Sequence, residues 1–357
     1  MMGLDSNTHK GIKILLSILL GMIGVMSLMQ GLASAEGEDQ ITASPAELVG
    51  PPADPLTLPF VYARVLTGPV WVYQSTTGIT AVRSLDAGYL WVSLANAQPI
   101  YENNQGWYLI NKDEYVRAEQ LSIYTPSAFQ GGQLTATPGK PFAWIVSNVW
   151  LSAKPGEAPA SGAALLKRYT IVWIYEEQQI GDRMWYRVGE DQWLEQGHVG
   201  MVKPASRPEG VGPTDKWIDI DLYEQTLAAY EGDRMVYATL VSSGLPWWQT
   251  EQGLFRIWVK VKTAKMSGRE GYPDYYFLED VPWTMYFNRS FALHGAYWHD
   301  RFGFRHSHGC VNIAPKDAQW LFDWVTPATT ANNWVLATEE EPGTWVWVHD
   351  DGPPAAR

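Results

Sequence analysis

The sequence predicts a mainly β protein: two small antiparallel barrels, then a β-sandwich or cradle with one short helix. Three observations lead there. Two segments copy each other at an offset that drifts only between 78 and 82 residues, and such self-similarity marks duplicated structural units. The apolar runs are short and alternate with polar residues, which is the period of a half-buried strand. They are heavy in Trp (19) and Tyr (18), whose rings suit a pleated surface. A helical spacing appears only late. Pro315 suits a first turn, and Ala318, Leu321, Phe322 and Val325 follow at three- and four-residue steps.

The first copy, residues 59–130, opens with Pro59-Phe60, and the second, residues 141–204, with Pro141-Phe142. Val70-Trp71-Val72 answers Val149-Trp150-Leu151, Trp107-Tyr108 answers Trp185-Tyr186, and Asp113-Glu114-Tyr115-Val116 answers Asp191-Gln192-Trp193-Leu194. Most of these aromatics are expected in cores; an exposed minority would offer a glycan or peptide groove. Between the copies, Gly131 to Gly139 reads as a hinge, and Pro204 to Pro213 as a second linker.

Residues 214–338 carry a third unit. Trp217–Leu222, Thr226–Tyr230 and Met235–Ser242 read as a meander. Gly253–Thr263 is a further strand, Met266–Asp280 a loop, Trp283–Phe287 and Phe291–Leu293 strands before the helix, and Trp334–Ala337 a closing strand. Residues 339–357 are acidic, then Pro-rich, and read as a mobile tail.

The N-terminus points outward. Lys10 and Lys13 precede an apolar run from Ile14 to Met29, and Ala33-Ser34-Ala35 follows. Charged region, apolar region and small-residue site make residues 1–35 a secretory signal, or a retained anchor if uncleaved. Residues 36–58 are an acidic, Pro-rich linker. The expected location is extracytoplasmic: secreted or membrane-anchored. Hydrophobic residues at 46% against 18% charged favour packed cores over disorder. A net charge of −12 without any basic run excludes a nucleic-acid partner. One cysteine excludes an internal disulfide.

The chemistry concentrates between His294 and Asn312, HGAYWHDRFGFRHSHGCVN, which holds Cys310 and four of the seven histidines, His294, His299, His306 and His308. A thiol nucleophile needs a base and the oxyanion needs donors. A buried, inert cysteine is the plain alternative, but Ser307, His308 and Gly309 beside it favour a reactive one. A zinc site from the histidines is the rival of another class, disfavoured because no H-x-x-x-H helix pattern is present. His299 and His306 read either as solvated loop residues or, for His299 with Tyr297 and Trp298, as cleft lining.

Ser307-His308-Gly309-Cys310-Val311-Asn312, with His294-Gly295 upstream, resembles the S/T-H-G-C-x-N signature of the YkuD-type L,D-transpeptidases. The two repeated segments resemble, more loosely, bacterial SH3-like modules. The YkuD resemblance implies a β-sandwich-like cradle that cross-links peptidoglycan stem peptides, with no cofactor and no metal. It implies Cys310 as nucleophile, His294 as base, an oxyanion hole around Gly309, and Ser307 and His308 shaping the site. Asn312, Gly295, Tyr297, Trp298, His299 and Tyr286 are expected toward the substrate. Some relatives carry Ser after the histidine; Gly295 stands there here, so a backbone carbonyl would have to orient His294. Relatives commonly show T-P-x-G where this chain has Thr250-Glu251-Gln252-Gly253. The implied reaction is acyl transfer from a tetrapeptide stem with loss of D-alanine, giving 3→3 cross-links. An L,D-carboxypeptidase or a non-catalytic wall-binding protein are the alternatives. The repeated segments would hold glycan strands.

Overall fold

The computed structural model describes residues 48–49, 58–85, 88–111, 113–269, 271–272 and 275–352; the expected signal segment and most of the 36–58 linker lie outside them. The described part is mainly β, and residues 40–357 form one compact unit.

The duplication is visible in strand succession. In the first module Val61–Val65 pairs with Tyr89–Leu94 and Leu121–Tyr124. In the second, Phe142–Ile145 pairs with Ile171–Trp173 and Val199–Val202. Each has a hairpin into a short 3-10 turn, Gln105–Asn111 with Glu114–Arg117 before Ala118–Gln120, and Arg183–Gly189 with Gln192–Glu195 before Gln196–His198. Alternation decides what each strand buries. In Val70–Tyr73 the two valines are fully buried while Trp71 stays 51% exposed. Separate cores follow, one around Val72, Leu85, Val92 and Val116, the other around Ile145, Val172, Tyr186 and Met201.

Neither module hangs on a hinge. Gly132–Leu134, inside the stretch expected to be one, pairs with Arg234–Ser242 of the third unit and with Leu48–Val49 on its other edge. The Gly131 N–H donates to the Asp317 carboxylate at 2.9 Å, which also accepts from Tyr237. Three residues cannot show a period, so backbone pairing made this strand without a side-chain signal.

The third unit is a β-sandwich with one helix. One layer runs Gly253–Arg256, Trp345–His349, Lys216–Asp221, Thr226–Glu231, Arg234–Ser242. Arg234–Ser242 continues into the other layer through Val311–Ile313, Phe291–Gly295 and Tyr276–Asn288. Ile218, Ile220, Leu293, Val311, Ile313 and Met285 fill the space between. The helix is Pro315–Trp324 and seats Ala318, Leu321 and Phe322 on that core.

Two further expectations change. The Met266–Asp280 loop is mostly hairpin: Val259–Gly268 pairs with Tyr276–Asn288 along nearly its whole length. The tail beyond residue 339 is no mobile peptide up to His349. Trp345–His349 lies between two strands, with Val346 and Val348 buried. Full burial of two valines contributes about 1.5–3 kcal/mol each. Asp350 beyond it accepts from Arg305 at 2.8 Å.

Candidate active site

Register brings the expected pair together. Phe291–Gly295 and Val311–Ile313 are parallel neighbours, with His294 opposite Asn312. Cys310 stands in the bend just before Val311–Ile313, and its side chain opens on the same cavity as those of Asn312 and His294. Strand spacing and rise place the two backbones about 5 Å apart sideways and about 7 Å along. Both side chains line one cavity of about 320 Å³.

The turn that presents Cys310 is fixed by its neighbours. Gly309 has φ +120°, and a Cβ there would fall 2.5 Å from the Phe291 ring, so only glycine fits. Ser307 Oγ accepts from the Gly309 N–H at 3.0 Å and donates to the Cys310 carbonyl. Thr250 Oγ1 donates to the Gly309 carbonyl at 2.9 Å and accepts from the Gly244 N–H at 3.0 Å. The buried Thr250 thus ties two loops, the role for which the T-P-x-G proline is not needed. The Gly309 N–H, expected as an oxyanion donor, is already satisfied by Ser307.

The thiol rests neutral. Cys310 Sγ donates to the Ser290 carbonyl at 3.8 Å and is not hydrogen-bonded to His294. Burial pushes the thiol up to about 11, the Ala292 N–H drawing it back a little. Burial also pulls His294 down to about 4, opposed by the backbone of Gly295. His294 Nδ1 has no hydrogen-bond partner in good geometry, so Gly295 supports it only loosely. An apolar surround disfavours both charged forms. The pair is therefore neutral thiol and neutral imidazole, able to exchange one proton when substrate arrives.

The other expected residues separate into two groups. Trp298, Ser307, His308 and Asn312 line the cavity, as does His306. His308 is held between Trp248 at 3.9 Å and Tyr276 at 4.8 Å. Gly295, Tyr297, His299 and Tyr286 do not line it. Tyr297 is fully buried, stacked on Tyr62 of the first module at 3.6 Å, its hydroxyl donating to the Glu279 carbonyl. His299 is buried, neither solvated nor facing the cavity. Its Nδ1 accepts from the Arg301 N–H at 3.1 Å, and Nε2 lies 2.8 Å from the Asn312 amide. A neutral imidazole has one donor, so Nε2 donates and Asn312 must present its oxygen there. His299 thus sets the Asn312 amide from behind. Tyr286 remains near enough for the Cys310 thiolate to raise its hydroxyl pKa, after burial.

Sequence reasoning missed the opposite wall. Met266, Tyr276 and Leu278 come from the long hairpin, and Gly88 and Trp91 from the first module. The hairpin residues lay in a stretch whose Gly, Tyr and acid content suggested a loop. Trp91 carried no signal beyond being one aromatic among many.

Residues 215–348 match the family model of the YkuD L,D-transpeptidase catalytic domain. That segment is a YkuD-type L,D-transpeptidase catalytic domain, and the match ends inside the Trp345–His349 strand. No curated protein matches the chain. Among solved structures it is similar to an L,D-transpeptidase of Enterococcus faecium, at 27% identity over 38% of this chain and 50% of that one, TM-score 0.31. It is also similar to one from Stackebrandtia nassauensis, at 26% identity over 41% and 60%, TM-score 0.29. A third, from Mycobacterium smegmatis, shares 15% identity over 61% and 89%, TM-score 0.32. The chain spans about half the length of the enterococcal protein.

Proposed function

We propose that the protein is a peptidoglycan L,D-transpeptidase, secreted or anchored outside the cytoplasm, that works through a Cys310 thioester. One observation carries the reading: within the segment that matches the YkuD catalytic domain, Cys310, immediately before Val311–Ile313, and His294, on the parallel neighbour of that strand, line one cavity.

A ring nitrogen of His294 takes the thiol proton as sulfur attacks the carbonyl of the third residue of a tetrapeptide stem. A sulfur–carbon bond forms, and the oxyanion meets the backbone N–H of Cys310. The bond to terminal D-alanine then breaks, and imidazolium gives its proton to the leaving amine. An acceptor stem's side-chain amine attacks the thioester and surrenders its proton to His294. The thiol recovers that proton, and a 3→3 cross-link results. Asn312, oriented by His299, and Trp298 face the donor. Trp71 and Trp150 occupy equivalent positions in the two modules and are 51% and 56% exposed, a pair of flat faces suited to glycan rings.

Mass spectrometry of muropeptides after incubation with a disaccharide-tetrapeptide is the test. Cross-linked dimer with loss of D-alanine, absent with Cys310→Ala, supports transfer. Tripeptide alone makes the enzyme a carboxypeptidase, and unchanged donor from protein with a free thiol contradicts both.

A further inference from the structure

The wall of the cavity facing Cys310 belongs to another part of the chain. Tyr89–Leu94 of the first module pairs in parallel with the start of Tyr276–Asn288, Phe277 opposite Tyr89 and Leu278 opposite Trp91. The Phe277 N–H donates to the Gly88 carbonyl at 2.8 Å. Gly88, with φ +104°, lets the backbone come so close that a Cβ would lie 2.0 Å from the Tyr275 ring. The seam is then locked. Tyr62 stacks on Tyr297 and donates to the Asp280 carbonyl at 2.8 Å, and the Ser93 N–H meets the Glu279 carboxyl at 3.3 Å. Val281 and Leu278 join Tyr62 and Tyr297 in one buried cluster, against which Trp91, Met266 and Tyr276 pack.

Trp91 is therefore fixed on both sides, edge-on to Tyr124 at 4.7 Å and to Tyr297 at 6.2 Å, and it opens on the same cavity as Cys310 and His294. With Met266, Leu278 and Tyr276 it makes an apolar face. No Asp, Glu, Lys or Arg is among the described lining residues. Burying an unpaired charge against such a wall is costly, whereas burying a methylene chain there is favoured.

We propose that Trp91 is a specificity-determining residue of the acyl-donor subsite, selecting a stem whose third residue presents an aliphatic side chain to the first module. This rests on the transpeptidase reading for the identity of the donor, but not for the existence of the wall. A long diamino acid would lay its methylenes along Trp91 and keep its charged end in solvent. A first module that lines the cleft is part of the enzyme, not only a tether.

The test is protection of Cys310 from iodoacetamide by a tetrapeptide stem, read on the full chain by intact mass. Intact mass separates unmodified Cys310 from its acyl adduct, and protection is scored on the unmodified thiol, so binding is read apart from turnover. Trp91→Ala is expected to raise the half-protecting concentration at least tenfold, and Trp91→Leu, which keeps an aliphatic filler in the seam, about threefold. Exchanging the third residue of the stem for alanine should cost the wild type the same factor and the Trp91→Ala protein little, because the lost contact is shared. Ile180→Ala, an exposed position of the second module with no part in the cavity, should change nothing. Unchanged protection in a Trp91→Leu protein with wild-type melting temperature overturns the proposal. So does equal sensitivity of both proteins to the shortened stem, and so does a stem that fails to protect the wild type. Protection without D-alanine release removes the transpeptidase reading and leaves the subsite standing. Release with undisturbed protection in both Trp91 variants does the reverse.

Discussion

The two modules are copies that meet the catalytic domain differently. The first offers a strand edge, Tyr89–Leu94, to the hairpin and so reaches the cavity. The second offers a core face and a polar seam. Its Phe142, Trp144 and Val202 pack with Trp217 and Tyr230. Tyr186 donates to the buried Glu224 at 2.6 Å, the Met201 N–H meets the same carboxylate at 3.0 Å, and Arg168 pairs with Asp300 at 2.8 Å. None of the described lining residues of the cavity comes from it. Two segments with a similar strand succession thus dock through different surfaces, and only the first reaches the cavity among its described lining residues.

The largest expected effect that separates the copies is Tyr62→Ala. It removes a fully buried ring stacked on Tyr297, at a cost of about 3–5 kcal/mol. Differential scanning calorimetry should show a lowered transition, and donor turnover should fall with it, because the wall carrying Trp91 is released. Glu224→Ala in the second seam leaves the Tyr186 hydroxyl and the Met201 N–H buried without their acceptor, at about 2–3 kcal/mol. Stability should drop while KM for the donor in the surviving folded protein stays within twofold.

A smaller effect is pH-dependent. Burial raises Glu279 to about 7, against help from the Ser93 N–H and Arg83. A carboxyl whose folded pKa is raised stabilises fully below its unfolded value, near 4.3, and that contribution is lost as pH rises through about 7. Asp317, raised to about 6 by burial, acts in the same direction, so the comparison must be with Glu279→Gln. The wild type should lose roughly 2–4 °C more of melting temperature than the variant between pH 5 and pH 8. The smallest effect is expected at the second module's surface. Arg183→Ala breaks an exposed pair with Glu195 and should leave the melting temperature unchanged.

What could be read from the chain follows from where the physics is local. Val70-Trp71-Val72 and its copy show strands because alternation and burial coincide within three residues. Cys310 and His294 were singled out because Ser307 to Asn312 is a contiguous motif, and the structure brings both to one cavity through neighbouring strands. Gly132–Leu134 was hidden because three residues, with only Leu134 reaching a core, are too few to show a period. Trp345–His349 does alternate, but the acids and prolines on either side masked it. Tyr297 and His299 were read toward the substrate from their place in the motif, and only packing shows them facing Tyr62 and Asn312. Trp91 lies some two hundred residues from Cys310 in sequence, and nothing local couples them.

The resting thiol near 11 and the imidazole near 4 mean that Cys310 alone is a poor nucleophile at pH 7. Its alkylation by iodoacetamide should climb about tenfold per pH unit from pH 7 to 10. Acylation by a stem should instead proceed at neutral pH if, as proposed, His294 takes the proton during attack. The most direct measurement is therefore peptide mapping of the full chain quenched in acid during turnover of a tetrapeptide donor. The predicted result is a tripeptide acyl group on Cys310, one D-alanine lighter than the donor, and no adduct with His294→Ala or Cys310→Ala. An acyl group that persists in Cys310→Ala, or turnover with Cys310 never acylated, would contradict thioester catalysis at this site.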